Sequence, residues 1–142
     1  MIVMKFGGTL MGSSSAIKHS ASLVVSSVKG GERVVVVPSA MSGVTDILLK
    51  IASSAEGGDI PFANDEISIL RQRHLNTAHE LGAAANSSTV EKLLGLLEQL
   101  AQTVHGIGLL RELSSRSKDL IVSFGERLSA PLMALALEGQ GV

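Results

Sequence analysis

MIVMKFGGTLMG (Met1–Gly12) and RVVVVP (Arg33–Pro38) decide the fold, together with what joins them. The first is an apolar run, Ile2 to Phe6, interrupted only by Lys5 and followed by Gly7, Gly8 and Thr9, which suits a central parallel strand covered on both faces. The second contains four consecutive valines, a strongly strand-favouring run that Pro38 ends because proline cannot donate to a sheet ladder. Between them, Ser13 to Ser15 offer hydroxyl caps, and Ile17, Ala21, Val24, Val25 and Val28 recur at helical spacing until Gly30 and Gly31. Strand, helix and strand make a βαβ unit, whose right-handed crossover makes the sheet parallel. The loops Gly7 to Gly12 and Ser39 to Gly43 then lie side by side at the carboxyl ends of the strands, where open α/β sheets bind ligands. A lysine at a strand end followed by two glycines with unshielded amides is suited to grip a phosphate or carboxylate.

Outward from this unit the chain reads as helical. Thr45 to Ala55 predicts a helix with Ile47, Leu48, Ile51 and Ala52 inward, closed by Gly57 and Gly58. Gly57 to Ala63 predicts a loop containing Pro61, after which Asn64 caps a helix with Asp65 and Glu66 in its first turn and a stripe of Ile67, Leu70, His74, Ala78 and Leu81. Ser88 and Glu91 read as a capping box opening a longer helix, in which Val90, Leu93, Leu97, Leu100, Val104 and Ile107 step by threes and fours. The two stripes predict an antiparallel helical hairpin over residues 64–113, longer than a plain crossover needs and therefore read as an inserted or lid-like element. Its chemistry is thin: His74 and His79 are not spaced as two ligands on one helix face, and His19 and His105 have no acidic or histidine partner at i+4.

Composition bounds the partners. The 142 residues suffice for one domain, and a net charge of −1 with 2% aromatics supplies neither the basic field nor the stacking platforms that nucleic acid requires. The chain has no cysteine, which removes disulfides, thiolate metal sites and thiol nucleophiles and fits a reducing compartment. No signal-peptide pattern opens it, and no apolar run is read as reaching the ~18 to 20 residues that span a bilayer. The expectation is a soluble cytoplasmic protein without nucleic-acid or membrane partners.

Ser114 to Val142 is the remaining segment. Ser117, Lys118 and Asp119 precede Leu120 to Phe124, then come Gly125, Glu126, Arg127, Leu128 and Ser129, and finally an apolar helix. Gly125 predicts a junction of two helices, with Glu126 near a helix start, where a carboxylate serves equally as a capping acid or as a site residue.

Three runs together resemble the amino-terminal half of aspartate kinases: Lys5-Phe6-Gly7-Gly8-Thr9, Val37-Pro38-Ser39-Ala40-Met41-Ser42-Gly43-Val44-Thr45-Asp46, and Ser123-Phe124-Gly125-Glu126-Arg127-Leu128-Ser129. The match is in order and covers the whole chain. The fold it implies is α/β: a three-layer αβα arrangement with a mostly parallel sheet, similar to carbamate kinase, here incomplete and carrying the helical hairpin. The activity implied is transfer of the ATP γ-phosphoryl group to the β-carboxylate of L-aspartate, giving 4-aspartyl phosphate for lysine, threonine and methionine synthesis. ATP and Mg2+ are the cofactors implied, and a homo-oligomer is the expected state of the full-length protein. Glutamate, acetylglutamate, carbamate and uridylate kinases share the glycine loop and form the runner-up reading, and a non-catalytic anion-binding or assembly module is the third.

By the same resemblance, Lys5 bridges the transferring phosphate and the acceptor, and Gly7, Gly8 and Thr9 hold phosphate oxygens. Ser39 and Thr45 match hydroxyl positions of the aspartate pocket, and Glu126 matches the acid that receives the substrate α-ammonium. Leu10 departs from the usual serine after Gly-Gly-Thr, and Pro38 stands where a small or polar residue is commoner. The larger departure is length, since the second half of the catalytic domain and the regulatory ACT domains lie outside this sequence. The 142 residues alone are therefore expected not to phosphorylate aspartate, and to self-associate or be marginally stable through an exposed sheet edge.

Overall fold

The computed structural model describes Met1–Val142, all 142 residues. β1 (Ile2–Phe6) leads through a 3-10 turn (Gly8–Met11) into α1 (Ser14–Lys29), and β2 (Val34–Pro38) follows. Four helices complete the chain: α2 (Val44–Gly57), α3 (Ile60–Glu80), α4 (Ser88–Leu110) and α5 (Ser115–Glu138). β1 and β2 pair in parallel, Ile2 opposite Val34 through Phe6 opposite Pro38, as the βαβ reading requires. The amide of Ser39, one residue beyond the pairing, still donates to the Phe6 carbonyl at 2.8 Å, so both site loops leave the sheet at the same level.

Only one face of the sheet is covered. Phe6 is in the core and Met4, Val34 and Val36 pack against it, on the side where α1 and α5 reach β2. Val3, Val35 and Val37, which point the other way along with Lys5, are 66%, 46% and 41% exposed. This corrects the reading of a strand covered on both faces: the alternation of side chains puts half of the valines on a face that no helix of these residues reaches.

Three helix boundaries also differ from the sequence reading. α3 begins at Ile60 rather than after Asn64: Asp59 is its cap, its carboxylate accepting from the Phe62 amide at 3.1 Å, and Pro61 fits the first turn, where its missing N–H costs nothing. Ile60 gains by this extension, because its side chain fills the space beside Gly108 of α4. Asn64 and the Asp65–Glu66 pair are accordingly well inside the helix. Ser87, not Ser88, caps α4, its hydroxyl accepting from the Val90 amide at 3.3 Å.

The third correction is the largest. α5 runs unbroken from Ser115 to Glu138 through Gly125 and past Pro131, so Glu126 is mid-helix and caps nothing. At 24 residues it is long and apolar enough to cross a membrane, contrary to the reading that divided it. In this fold it is the central core helix: Ile121, Phe124, Leu128, Leu132, Met133 and Ala136 all belong to the hydrophobic core. α3 and α4 pack as a hairpin, yet Ile67, Leu70, Ala78, Leu93, Leu97, Leu100 and Val104 share that one core with α2 and α5. The hairpin is thus built into the core and is not a lid over it.

Candidate functional site

Each strand ends in a loop whose shape is set by local chemistry. After β1, Gly7 is exposed and extended (φ −73°, ψ 170°), and Gly8 to Met11 form the 3-10 turn, held by Leu10 N–H to the Gly7 carbonyl and Gly12 N–H to the Thr9 carbonyl. No loop or turn bond takes the amides of Gly8 or Thr9. Fully buried Met11 pins the turn to the core, while Leu10 is 40% exposed. After β2, buried Ala40 and Met41 anchor the second loop, and Gly43 turns into α2 with φ +78°, a left-handed conformation that a side chain would strain. No side chain caps α2, and Thr45 is in its first turn.

The two loops touch. Ser42 donates its hydroxyl to the Gly8 carbonyl at 2.8 Å, and a Cβ on Gly8 would lie 3.4 Å from the Ala40 carbonyl oxygen. Side chains from three helices hold other carbonyls of the pair. Ser20 of α1 donates to Leu10 O at 3.1 Å, Ser129 of α5 to Ser39 O at 2.7 Å, and Arg73 of α3 to Ser42 O at 2.7 Å and Gly12 O at 3.4 Å. Five loop carbonyls are thereby occupied by protein donors, which leaves the surface between the loops richer in donors than in acceptors.

α5 closes the third side. A Cβ on Gly125 would lie 2.7 Å from Ala40 Cβ and 3.5 Å from Leu48 Cδ1, so the glycine is there for close approach to the second loop, not to break a helix. With Ser129 bonded to Ser39, this brings the helical turn of Glu126 beside the Ser39–Gly43 loop. The Glu126 side chain is exposed, and its neighbour Arg127 turns elsewhere: the guanidinium lies 4.5 Å over the Phe124 ring and donates to Gln99 at 2.9 Å, tying α5 to α4.

The residues singled out in the sequence therefore fall into one region with different degrees of contact. Gly7, Gly8 and Thr9 form the first loop, Ser39 leads the second, Thr45 follows it in α2, and Lys5 pairs in register with Val37, two residues before Ser39. The single ion pair of the chain joins the Met1 ammonium to Glu32 at 3.4 Å, so neither Lys5 nor Glu126 is engaged with an opposite charge. Arg73 was not singled out in the sequence, and Ser42 and Ser129, though within the quoted runs, were given no role there; the spacing carries no signal of these contacts, because each acts on a loop distant in the chain.

His74, next to Arg73 on the same helix, is fully buried. Its Nδ1 donates to the Leu70 carbonyl at 2.7 Å, leaving Nε2 as a bare lone pair with no partner. Burial pushes its pKa below the usual imidazole value; the Leu70 bond partly opposes this, and the charge of Arg73 adds to it. It is a histidine of the core, held by its own helix. No group of three or more His, Cys, Asp or Glu side chains gathers anywhere as a metal site.

The amino acid kinase family model matches residues 1–142, the whole chain. The chain belongs to the amino acid kinase family. Among its relatives, aspartokinase 2, chloroplastic, of Arabidopsis thaliana is 38% identical over 141 residues, covering 98% of the chain and 25% of that protein. Aspartokinase 1, chloroplastic, of the same plant is 35% identical over 142 residues, covering 99% and 24%. The chain thus spans about a quarter of the length of the curated relatives it matches. The crystal structure of E. coli aspartokinase III in complex with aspartate and ADP matches with a TM-score of 0.84 at 28% identity, covering 100% of this chain and 30% of that one. The amino acid kinase fold expected from the three sequence runs is therefore the fold observed, as an incomplete αβα unit with a two-stranded parallel sheet.

Proposed function

We propose that this chain forms the phosphate and acceptor walls of an aspartokinase, and that the whole protein transfers the ATP γ-phosphoryl group to the β-carboxylate of L-aspartate, giving 4-aspartyl phosphate. The observation that carries the reading is the locked pair of loops, joined by Ser42 Oγ to Gly8 O at 2.8 Å, with uncommitted Lys5 and Glu126 beside them. The likeness to an aspartokinase that holds aspartate and ADP supports the choice of substrates.

In this reading the nucleophile is already a carboxylate, so no general base is needed and the chain's work is positioning and charge neutralisation. The amides of Gly8 and Thr9 receive phosphate oxygens. The Lys5 ammonium, a compact charge on a flexible stem, follows negative charge from the ATP oxygens toward the acceptor carboxylate. Ser39 and Thr45 hydroxyls bond the substrate carboxylates, and Glu126 accepts the α-ammonium. Mg2+ would supply neutralisation of phosphate charge, held chiefly by the nucleotide phosphates and water rather than by a protein cage, and no three carboxylate or imidazole side chains converge here to form one.

Isothermal titration of L-aspartate and L-glutamate into the whole protein tests the acceptor. Saturable binding of aspartate, weakened about tenfold or more in Glu126→Gln by loss of a charge-assisted hydrogen bond, is the expected result. Equal or tighter binding of glutamate would overturn the assignment of aspartate. In the whole protein, Lys5→Ala is expected to lower kcat by about two to three orders of magnitude, and unchanged turnover would leave only a structural role for the lysine.

A further inference from the structure

Ser42 is in contact with both ends of the first loop. Its hydroxyl donates to Gly8 O at 2.8 Å, and a Cβ on Gly12 would lie 2.9 Å from Ser42 Oγ. What holds Ser42 itself is a side chain from a distant element. The half-buried Arg73 guanidinium donates through Nη1 to Ser42 O at 2.7 Å and through Nη2 to Gly12 O at 3.4 Å, spanning the gap between the Ser39–Gly43 loop and the end of the 3-10 turn.

We propose that Arg73 is a positioning residue for the phosphate and acceptor site: its planar fork sets the separation of the two loops without touching substrate. The inference rests on the function proposed above for those loops. Three features support it. A guanidinium holds two acceptors at a fixed angle, which an ammonium cannot reproduce. The helix that carries it is anchored, since buried Ile67, Leu70, His74, Thr77 and Ala78 lie on the same element. The two carbonyls it occupies are lone pairs that would otherwise stand free at the rim of a site meant for anions, so the same contact fixes the loops and removes acceptors from them.

The test uses the whole protein and the variants Arg73→Gln, Arg73→Lys and, as a control on the exposed side of the same helix, Arg71→Gln. Amide hydrogen exchange and 15N chemical shifts of Gly8 to Gly12 and Ala40 to Gly43 report the loops with no ligand present. Titration with L-aspartate and with Mg·ADP reports the site. Expected for Arg73→Gln are shifts and faster exchange in both loops together and about tenfold weaker binding of both ligands; Arg73→Lys keeps the charge but reaches one carbonyl, so it restores less than half of the loss. Arg71→Gln leaves all of these unchanged. Loops unaltered in Arg73→Gln, or affinity fully restored by lysine, would overturn the proposal. If Arg73→Gln does not fold, the lysine variant decides alone, since full retention of loop exchange and affinity excludes a role for the fork. If the wild-type whole protein binds neither ligand, the proposed function fails, while the exchange data still decide whether Arg73 ties the loops.

Discussion

Replacing Gly125 with alanine separates two roles that glycine can have in a helix. Mid-helix, the change should stabilise, because alanine is favoured over glycine by about 0.8–1.0 kcal/mol. Here the new methyl would lie 2.7 Å from Ala40 Cβ, about 1 Å inside the ~3.5–4.0 Å optimum for carbon pairs. Ala40 has no torsion with which to retreat, and its loop is tied to α5 by Ser129 Oγ to Ser39 O at 2.7 Å, so the helix or the loop must move. Such overpacking costs roughly 1–3 kcal/mol, leaving a net destabilisation of about 0–2 kcal/mol, or up to roughly 8 °C in melting temperature at ~4 °C per kcal/mol for a chain of this size. Because the balance includes zero, the deciding quantity is the coupling with Ala40→Gly, which removes the methyl that is struck. Urea unfolding of the wild type, both single variants and the double variant should give a coupling energy of about 1 kcal/mol or more. A Gly125→Ala chain stabilised by the full helix-propensity gain, with no coupling to Ala40→Gly, would refute the close contact and with it the account of how α5 reaches the second loop.

Two further predictions concern elements the sequence read differently or left without a role. His74 is neutral in the fold and its pKa lies below the ordinary 6.5, so the unfolded chain binds more protons just below that pH. Its contribution to stability should be complete above pH 6.5 and fall as pH drops from there toward the depressed folded value, and His74→Leu should flatten that part of the urea midpoint profile; identical slopes in both chains would remove His74 as the cause. Asp59→Ala should cost about 1 kcal/mol through loss of the α3 cap, whereas Asn64→Ala, inside the helix, should be neutral or stabilising by up to ~0.7 kcal/mol. The reverse order in denaturant midpoints would return the start of α3 to Asn64.

The parts of the site that were legible in the sequence are those that depend on consecutive residues. Lys5 followed by Gly7-Gly8-Thr9, and the Ser39 to Asp46 run, declare their loops because strand ends and glycine turns are local features. Gly125 misled for the same reason: read locally, a glycine before an acid looks like a helix boundary, and only the packing of Ala40 and Leu48 against it explains why it is glycine. The start of α3 was misplaced because Pro61 was read as a breaker, although proline is well tolerated in a helix's first turn.

From sequence alone came the βαβ order, the parallel pairing of β1 with β2 and the convergence of two loops at one sheet edge, since these follow from periodicity and from the handedness of crossovers; the kinship came separately, from the resemblance of three short runs of consecutive residues. The tertiary structure decided how the loops are held. Arg73, Ser20 and Ser129 come from three different helices to occupy carbonyls of the loops, Gly125 admits α5 against Ala40, and one face of the sheet is left uncovered. A hydrogen bond between residues 61 or 90 positions apart leaves no periodic trace in the chain; its partners are chosen by where packed helices bring their side chains.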